Sequence, residues 1–343
     1  MNSMISTRGI ARLAWAAALF ALVVIVFGAF VRLSNAGLSC PDWPTCYGKV
    51  TWPVHAHEVD AANAAFPDRP VESNKAWREQ VHRFLAGGLI LTTFALAIWS
   101  WRRRRDLHGL AAVPLAASVF ILFQALLGMW TVTWKLKPIV VMGHLLGGMT
   151  TFALLAYSAL RLTIPPIANL RFPAAEKDKL WRLTAVGIGL VAVQIALGGW
   201  TSSNYAALAC GLDFPSCLGQ WWPGNMDFHE AFVLWRGIGV NYEGGVLDGS
   251  ARIAIQLVHR IGAVLVFGHV AFAVVQRAAR HVETRPFAVA IGIALLLQVS
   301  LGIANVKLGL PLPIATAHNG VAAVLLLSLL ALLVRVRVRT AAR

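Results

Sequence analysis

The sequence predicts an all-α integral membrane protein with eight transmembrane helices, arranged as two tandem four-helix bundles related by pseudo-twofold symmetry. Three observations support this fold class. Of the 343 residues, 58% are hydrophobic and only 13% are charged, which is too few charges to cover an ordinary soluble domain. Long apolar segments recur along the whole chain, and one set of motifs occurs twice, once in each half.

Eight apolar segments have roughly the 20 residues that an α-helix needs to cross the hydrocarbon layer of a bilayer. The first has no small-residue cleavage pattern before Arg32, so we interpret it as a membrane span and not as a cleaved signal peptide. The edges of the third and seventh are less certain, because Lys135, Lys137 and Lys307 follow them closely. The eight segments cover approximately residues 9–31, 82–101, 110–132, 139–160, 183–203, 253–275, 286–304 and 313–334.

The net charge of +15 reflects the placement of basic residues at alternate ends of the spans and does not indicate nucleic-acid binding. By the positive-inside rule these ends are cytoplasmic, which predicts an inner-membrane protein with both termini in the cytoplasm and in contact with anionic lipid. Few acidic residues share this side: Asp106, Glu176, Asp178 and Glu283. The basic residues are Arg8, Arg12, Arg102, Arg103, Arg104, Arg105, Arg161, Arg171, Lys177, Lys179, Arg182, Arg277, Arg280, Arg285, Arg335, Arg337, Arg339 and Arg343.

Four cysteines form two closely spaced pairs, and both pairs fall in segments predicted to lie on the periplasmic side. The pairs are Cys40 with Cys46, and Cys210 with Cys217. Short loops of this kind in an oxidising compartment favour two local disulfides. A metal site is the alternative, but it would have to bring four ligands together from two separate loops.

The motifs indicate that a four-helix unit occurs twice. The segment Val81–Arg83 opens one apolar span, and Val258–Arg260 opens the matching span with the same residues, Val-His-Arg. A Gln-x3-Gly motif at Gln124, and again at Gln298, precedes a further histidine by 20 positions. An even number of spans in each unit gives both halves the same orientation. The predicted division is a first half of residues 1–165, a cytoplasmic linker of residues 166–182 and a second half of residues 183–343.

Four of the ten histidines occupy matching positions of the two units, near the periplasmic ends of their helices. Ionisable groups inside a membrane are costly and are usually functional. Two imidazoles that face each other at one depth suit the axial positions of a six-coordinate heme iron. Zinc or copper fits less well, because neither half offers a third ligand apart from Glu79 in one of them. The predicted ligands are His82, His144, His259 and His318.

One position distinguishes the two halves. Glu79 lies three residues before His82 on the same helical face, and the matching residue in the second half is Gln256. A carboxylate beside a heme could act as a general base or stabilise a developing cation. Alternatively, it is a carboxylate that the helix dipole favours near a helix start. Similarly, Arg83 and Arg260 could bind heme propionates or extend to the lipid headgroups.

With these motifs the sequence resembles the heme A synthase family. The resemblance rests on the Glu79–Arg83 and Gln256–Arg260 segments, on His144 and His318, and on the first cysteine loop, and it extends from about residue 10 to 334. It implies a bacterial inner (plasma) membrane oxidoreductase that oxidises a methyl group of heme O to the formyl group of heme A by successive hydroxylations. The product would serve heme-copper cytochrome oxidase.

The resemblance also implies roles for the site residues. His82 and His144 would bind the substrate heme O, His259 and His318 would hold a heme b that passes electrons, and Glu79 would be the catalytic carboxylate. The first cysteine pair matches the family's outer-loop disulfide, whereas the second is not found in every member. The implied partners are a heme O synthase, as heme donor, and the assembly of a heme-copper oxidase. Homo-oligomerisation stays open.

The main alternative is a diheme b-type membrane cytochrome that transfers electrons from quinol without modifying heme. Such a carrier would use the same four histidines. It would not need the difference between Glu79 and Gln256.

Overall fold

A computed structural model describes residues 2–167 and 172–337. Within these ranges the regular secondary-structure elements are all helices. The pairings Cys46–Lys49 and Cys217–Gln220 are isolated β-bridges. Arg171, Arg339, Arg343 and part of the predicted linker lie outside the described residues. The helices are α1 (Asn2–Leu33), α2 (Ala56–Ala65), α3 (Ser73–Arg102), α4 (Ala112–Thr133), α5 (Pro138–Thr163), α6 (Ala174–Ser203), α7 (Phe228–Ala231), α8 (Gly249–Gly268), a π-helical segment (His269–Val275), α9 (Gln276–Ala279), α10 (Arg285–Lys307) and α11 (Leu312–Arg335).

Eight helical spans in the described part of the chain are long and apolar enough to cross a bilayer, which confirms the prediction of an all-α protein with eight spans. Seven are formed by α1, α3, α4, α5, α6, α10 and α11, and the eighth is the continuous stretch Gly249–Ala279. Large apolar side chains such as Leu91, Val119 and Val264 point away from the protein, as lipid-facing residues do. The molecule is therefore a multi-pass membrane protein.

Two spans begin well before the apolar segments that predict them. Helix α3 begins at Ser73, nine residues before the predicted start at residue 82, and α6 begins at Ala174, inside the predicted linker. Their first turns carry charged side chains, which apolar periodicity does not detect, although the backbone hydrogen bonding continues unbroken. As a result, Glu79 is the seventh residue of α3. It lies beyond the first turn, where the helix dipole acts, so that explanation for the carboxylate does not apply.

The first and third spans of each half end with the same chain reversal. In each, an amide donates to the carbonyl five residues earlier, the bond of a Schellman motif. Each reversal includes a residue whose backbone lies in the left-handed region. These residues are Asn35, Leu136, Tyr205 and Leu310. The bonds are Ala36 to Val31, Leu136 to Thr131, Ala206 to Thr201 and Leu310 to Asn305, with N···O distances of 3.0, 2.8, 2.9 and 2.7 Å. We call this side, which also carries both cysteine pairs, the cysteine-loop end.

The helices of each predicted half contact one another in a ring. In the first half, α3 packs on α1 and α4, and α5 packs on the same two helices. In the second half, α6 packs on α8 and α11, while α10 packs on α11 and on the π-helical segment. The halves meet where α1 and α5 contact α11 and α6. Two adjacent four-helix bundles would give this pattern, and their pseudo-twofold relation stays a prediction.

At the cysteine-loop end, residues 232–248 of the second half lie over the first half, and we call them the crossing loop. Glu243 accepts two hydrogen bonds from the Arg69 guanidinium at 2.8 and 3.1 Å. The Tyr242 amide donates to the carbonyl of Lys135 at 3.0 Å, and the Tyr242 side chain is fully buried. The Nζ of Lys137 lies 3.2 Å from the ring centre of Trp235, a cation–π contact. The crossing loop thus connects the two halves away from the membrane spans.

Candidate functional site

In the first half, the structure brings the two predicted histidines together. The ring centres of His82, on α3, and His144, on α5, are 6.5 Å apart, and the rings are nearly perpendicular at 74°. An ion held at about 2 Å by one nitrogen of each ring would set the ring centres about 6 Å apart. The observed separation therefore suits two axial ligands on one metal ion.

In the second half, His259 on α8 and His318 on α11 are close enough to interact electrostatically. Each of these residues sits at nearly the same depth as its counterpart. His144 and His318 are each the seventh residue of their helix, and His82 and His259 are the tenth and eleventh. The four histidines thus form two pairs at the cysteine-loop end of the spans.

Each histidine ring lies directly over a glycine of the preceding span. A Cβ atom added to Gly28 would be 2.7 Å from Nε2 of His82, closer than real contacts allow. A Cβ at the three matching glycines would be 3.2 Å from Cε1 of the other histidines, which is tighter than most real contacts. Only a residue without a side chain lets the rings sit this close to the neighbouring backbone. The three matching glycines are Gly128 below His144, Gly198 below His259 and Gly302 below His318.

A glutamine contacts the ring of three of the four histidines. Gln124 and Gln194 place their amide nitrogens 3.0 and 3.1 Å from Nδ1 of His144 and His259, respectively. Both amides also donate to the backbone carbonyl of the same histidine. Gly147 and Gly262, one turn after these histidines, lie against the amide oxygens, and a side chain at either would displace the glutamine. These two glycines thus leave room for the glutamine amides.

Gln124 and Gln298 are predicted only as markers of the repeat, and Gln194 is not among the predicted residues. The sequence does contain a signal for Gln194, because Gln194 and Gly198 form the same Gln-x3-Gly motif on the first span of the second half. Gln298 lies 3.3 Å from Nε2 of His318, so it contacts the other ring nitrogen.

Glu79 is buried at the base of the first cysteine loop. Its Oε2 accepts a hydrogen bond from the amide of Cys40 at 2.9 Å, and its Oε1 accepts one from Arg83 at 2.7 Å. Gln256 does the same in the second half, where its Oε1 accepts from the amide of Cys210 at 2.6 Å. Both residues therefore connect a cysteine loop to the helix that carries a candidate ligand, but only Glu79 carries a negative charge.

The arginines that follow His82 and His259 donate hydrogen bonds to the cysteine loops, a contact that the sequence does not predict. Arg83 donates to the carbonyls of Asp42 and Thr45 at 2.9 and 2.5 Å. Arg260 donates to the matching carbonyls of Asp213 and Ser216 at 2.9 and 2.8 Å. These guanidinium groups therefore hold the cysteine loops against the helices that carry His82 and His259.

Both cysteine pairs are joined as disulfides, with sulfur–sulfur distances of 2.07 Å for the first loop and 1.95 Å for the second. The loops share one internal design. In the first, the Asp42 carboxylate accepts from the amides of Tyr47 and Gly48 at 2.6 and 2.8 Å, and Asp213 accepts from Gly219 at 2.7 Å in the second. Burial would raise the pKa of Asp42, but the hydrogen bonds from Thr45 and from these two amides lower it overall.

Two other features lie away from the paired histidines. His269, in the π-helical segment, contacts the backbone carbonyl of Leu183 through Nε2 at 2.9 Å. A groove lies at the opposite end of the molecule from the cysteine loops, between the start of α1 and the turn after α3, where Arg8, Arg12 and Arg105 line it. This groove does not include any of the four predicted ligands.

The donor set fits heme better than a protein-ligated ion. Within residues 2–167 and 172–337, no group of three or more His, Cys, Asp or Glu side chains could hold a metal ion. Paired imidazoles alone cannot complete the four ligands of a structural zinc site. An iron already held by the four nitrogens of a porphyrin needs only the two axial ligands that each pair offers.

Fold and site together define a class, a multi-pass helical membrane protein with two paired-imidazole sites below two disulfide loops. Residues 11–330 match a family described as cytochrome oxidase assembly protein. A heme A synthase of Shewanella oneidensis is 46% identical over 248 residues, which cover 72% of each chain. Heme A synthases of Bacillus licheniformis and Mesorhizobium japonicum are each 28% identical, over 76% and 73% of this chain and 72% and 68% of theirs. The chain belongs to the heme A synthase family.

Proposed function

We propose that this protein is a heme A synthase, an oxidoreductase that converts the methyl group of heme O into the formyl group of heme A by successive hydroxylations. One observation carries the proposal. Two closely matched imidazole sites differ in one buried ionisable group: the position is a carboxylate, Glu79, in one half and an amide, Gln256, in the other. A pure electron carrier has no need of this difference, whereas an enzyme that modifies heme at one site needs a group there that the other site lacks.

The two halves divide the work. The first half, residues 1–165, takes heme O as substrate between His82 and His144. The second half, residues 183–343, holds a resident heme b between His259 and His318, and residues 166–182 connect the halves on the cytoplasmic side. When bound, heme b supplies a redox-active iron through which electrons leave the substrate site.

Glu79 is the proposed catalytic residue because of its charge and its position. It lies one helical turn from His82 and is only 5% exposed. Oxidation of a methyl group releases protons, and a carboxylate at this position can accept one at Oε1 or Oε2, whereas the amide oxygen of Gln256 is a poor base. Arg83 and the Cys40 amide hold the carboxylate in one orientation.

The first disulfide loop therefore supports the site as well as covering it. Cys40 presents its amide to Glu79, and its Sγ contacts the carbonyl of Ala76 on the same helix at 3.7 Å. The second loop makes the equivalent contact with Gln256 and stabilises the resident heme site. We place both loops in the periplasm of a bacterial inner (plasma) membrane, with both termini in the cytoplasm, a heme O synthase as donor and a heme-copper oxidase as recipient.

Pigment analysis tests the proposal directly. The protein is expressed in cells that make heme O but not heme A, and extracted hemes are separated and identified by pyridine hemochrome spectra. Heme A should form only when the protein is present. Unchanged heme O together with a protein that carries two b-type hemes would identify the electron carrier and contradict the proposal.

A further inference from the structure

Three of the four candidate ligands have a glutamine partner, and His82 does not. In each case the preceding span places a glycine below the ring, and the residue four positions before that glycine lies one turn further along the same face. This residue is Gln124, Gln194 or Gln298 in three cases. It is Val24, before Gly28, in the fourth.

The difference is visible in the contacts of the ring. His144 and His259 each contact a glutamine amide through Nδ1 and turn Cε1 towards the glycine. His82 turns Nε2 towards Gly28 and hydrogen-bonds to the backbone carbonyl of Val24. His82 is therefore held by a backbone carbonyl and not by a glutamine. His318 differs from His144 and His259 in another way, because Gln298 contacts its Nε2 and its Nδ1 has no hydrogen-bond partner.

The chemistry of an iron-bound imidazole explains what a glutamine adds. When Nε2 binds iron, Nδ1 carries the proton and needs an acceptor, and such a partner fixes the ring orientation and makes the ligand more basic. The amide oxygens of Gln124, Gln194 and Gln298 are buried and have no hydrogen-bond partner. A half-turn of the amide of Gln124 or Gln194 brings its oxygen beside Nδ1, where it can accept a hydrogen bond in exchange for the bond that the amide now donates to the histidine carbonyl. Gln298 contacts Nε2, so the His318 ring must also turn before its Nδ1 can donate to Gln298.

We infer that these glutamines are positioning residues that retain heme at their histidines, and that His82, which lacks one, is the ligand from which the substrate heme is released. The inference rests on the proposed function and refines it. A resident heme has to stay, and both of its ligands, His259 and His318, have a glutamine. A substrate has to leave after conversion, and only one of its two ligands has a glutamine.

Exchanging the residues between the sites tests the inference. Gln194→Val places a valine at the position of the second half that matches Val24 in the first half. We expect heme b to transfer to an excess of heme-free myoglobin about 10 to 100 times faster than in the wild-type protein, the usual effect of removing such a partner. Val24→Gln, alone and with Leu85→Gly to make the room that Gly262 provides, should slow the loss of heme from the first half at least tenfold.

The midpoint potential of heme b separates a positioning role from a packing role. Gln194→Glu offers a charged acceptor to Nδ1, which makes His259 a stronger donor and should lower the potential, whereas Gln194→Val should raise it. A side chain that only fills space would not shift the potential in opposite directions. Gln276→Val, on an exposed residue at the far end of the span that carries His259, is the control and should leave heme transfer and potential unchanged.

The outcomes distinguish this inference from the proposed function. If the wild-type protein makes heme A, but Gln194→Val keeps heme b as tightly as before and at the same potential, the inference is wrong and the function stands. If Gln194→Val fails to fold, the Val24→Gln variants decide. Heme loss from the first half at the wild-type rate in both of them refutes the inference. A wild-type protein that makes no heme A contradicts the proposed function itself.

Discussion

Replacing Glu79 by glutamine changes the charge of the proposed catalytic group and little else. The second half already shows that a glutamine fits at this point, because Gln256 accepts a hydrogen bond from the Cys210 amide just as Glu79 does from Cys40. Glu79→Gln therefore turns the substrate site into a copy of the resident site at this position. We expect the first cysteine loop to stay in place.

The cost in stability follows from the contacts that remain. The variant loses the ion pair between Glu79 and Arg83, whose side chains are 6% and 13% exposed. Arg83 keeps its hydrogen bonds to two loop carbonyls, so the guanidinium is not left without partners. The free energy of unfolding should fall by about 2 kcal/mol, the contribution of one hydrogen bond between charged groups. Loss of a general base should lower the rate of heme A formation by about 100-fold or more.

Three measurements on purified Glu79→Gln protein check this reasoning: heme content by pyridine hemochrome, heme A formation by pigment extraction, and the state of Cys40 and Cys46 by thiol labelling. We expect normal heme content, an intact disulfide and almost no heme A. Gln256→Glu serves as the control and should leave heme A formation within about twofold of the wild type, since that site does no chemistry. Heme A formation at the wild-type rate in Glu79→Gln would refute the catalytic role, and loss of heme together with activity would show that the carboxylate is structural.

Three further predictions concern other parts of the molecule. His144→Ala should abolish heme binding in the first half and spare heme b, so a reduced-minus-oxidised spectrum should keep one b-type signal, and loss of both would contradict the division between halves. Because the pKa of Asp42 is below its ordinary value in the folded loop, its contribution to stability is complete above about pH 4 and is lost as the pH falls through the lowered pKa. The protection factor of the Tyr47 amide against hydrogen exchange should therefore fall only below that pH, and a fall near pH 6 would disprove this. Arg69→Ala should remove about 1 kcal/mol at the partly exposed pair with Glu243 and speed proteolysis within the crossing loop, whereas an unchanged cleavage rate would show that the pair contributes nothing.

Much of the fold could be predicted from the sequence because membrane spans are set by hydrophobicity over a fixed length. The eight spans lie where the apolar segments indicate, but α3 and α6 begin earlier than those segments predict. Charged first turns extend α3 back to Ser73 and α6 back to Ala174, and helical hydrogen bonding does not depend on apolar character. For this reason Glu79 lies within a helix and not at its start.

The site was predictable to the level of residue type and spacing. Paired histidines and a lone carboxylate stand out in a repeat, because ionisable residues in membrane spans are costly. The partners of these residues did not stand out. Gln194 lies in an apolar span whose first-half counterpart carries Val24, so the repeat itself conceals the match. The contacts of Arg83 and Arg260 with loop carbonyls depend on how each loop folds back over its helix, which spacing along the chain does not determine.

The crossing loop has a consequence for the order in which the chain is assembled. Its residues, 232–248, follow the fifth span in the sequence, yet they cover the first half through Arg69, Lys135 and Lys137. During synthesis, the first four spans can therefore enter the membrane and pack together before their cover exists. The first half reaches its final tertiary structure only after the fifth span and the segment that follows it have been synthesised.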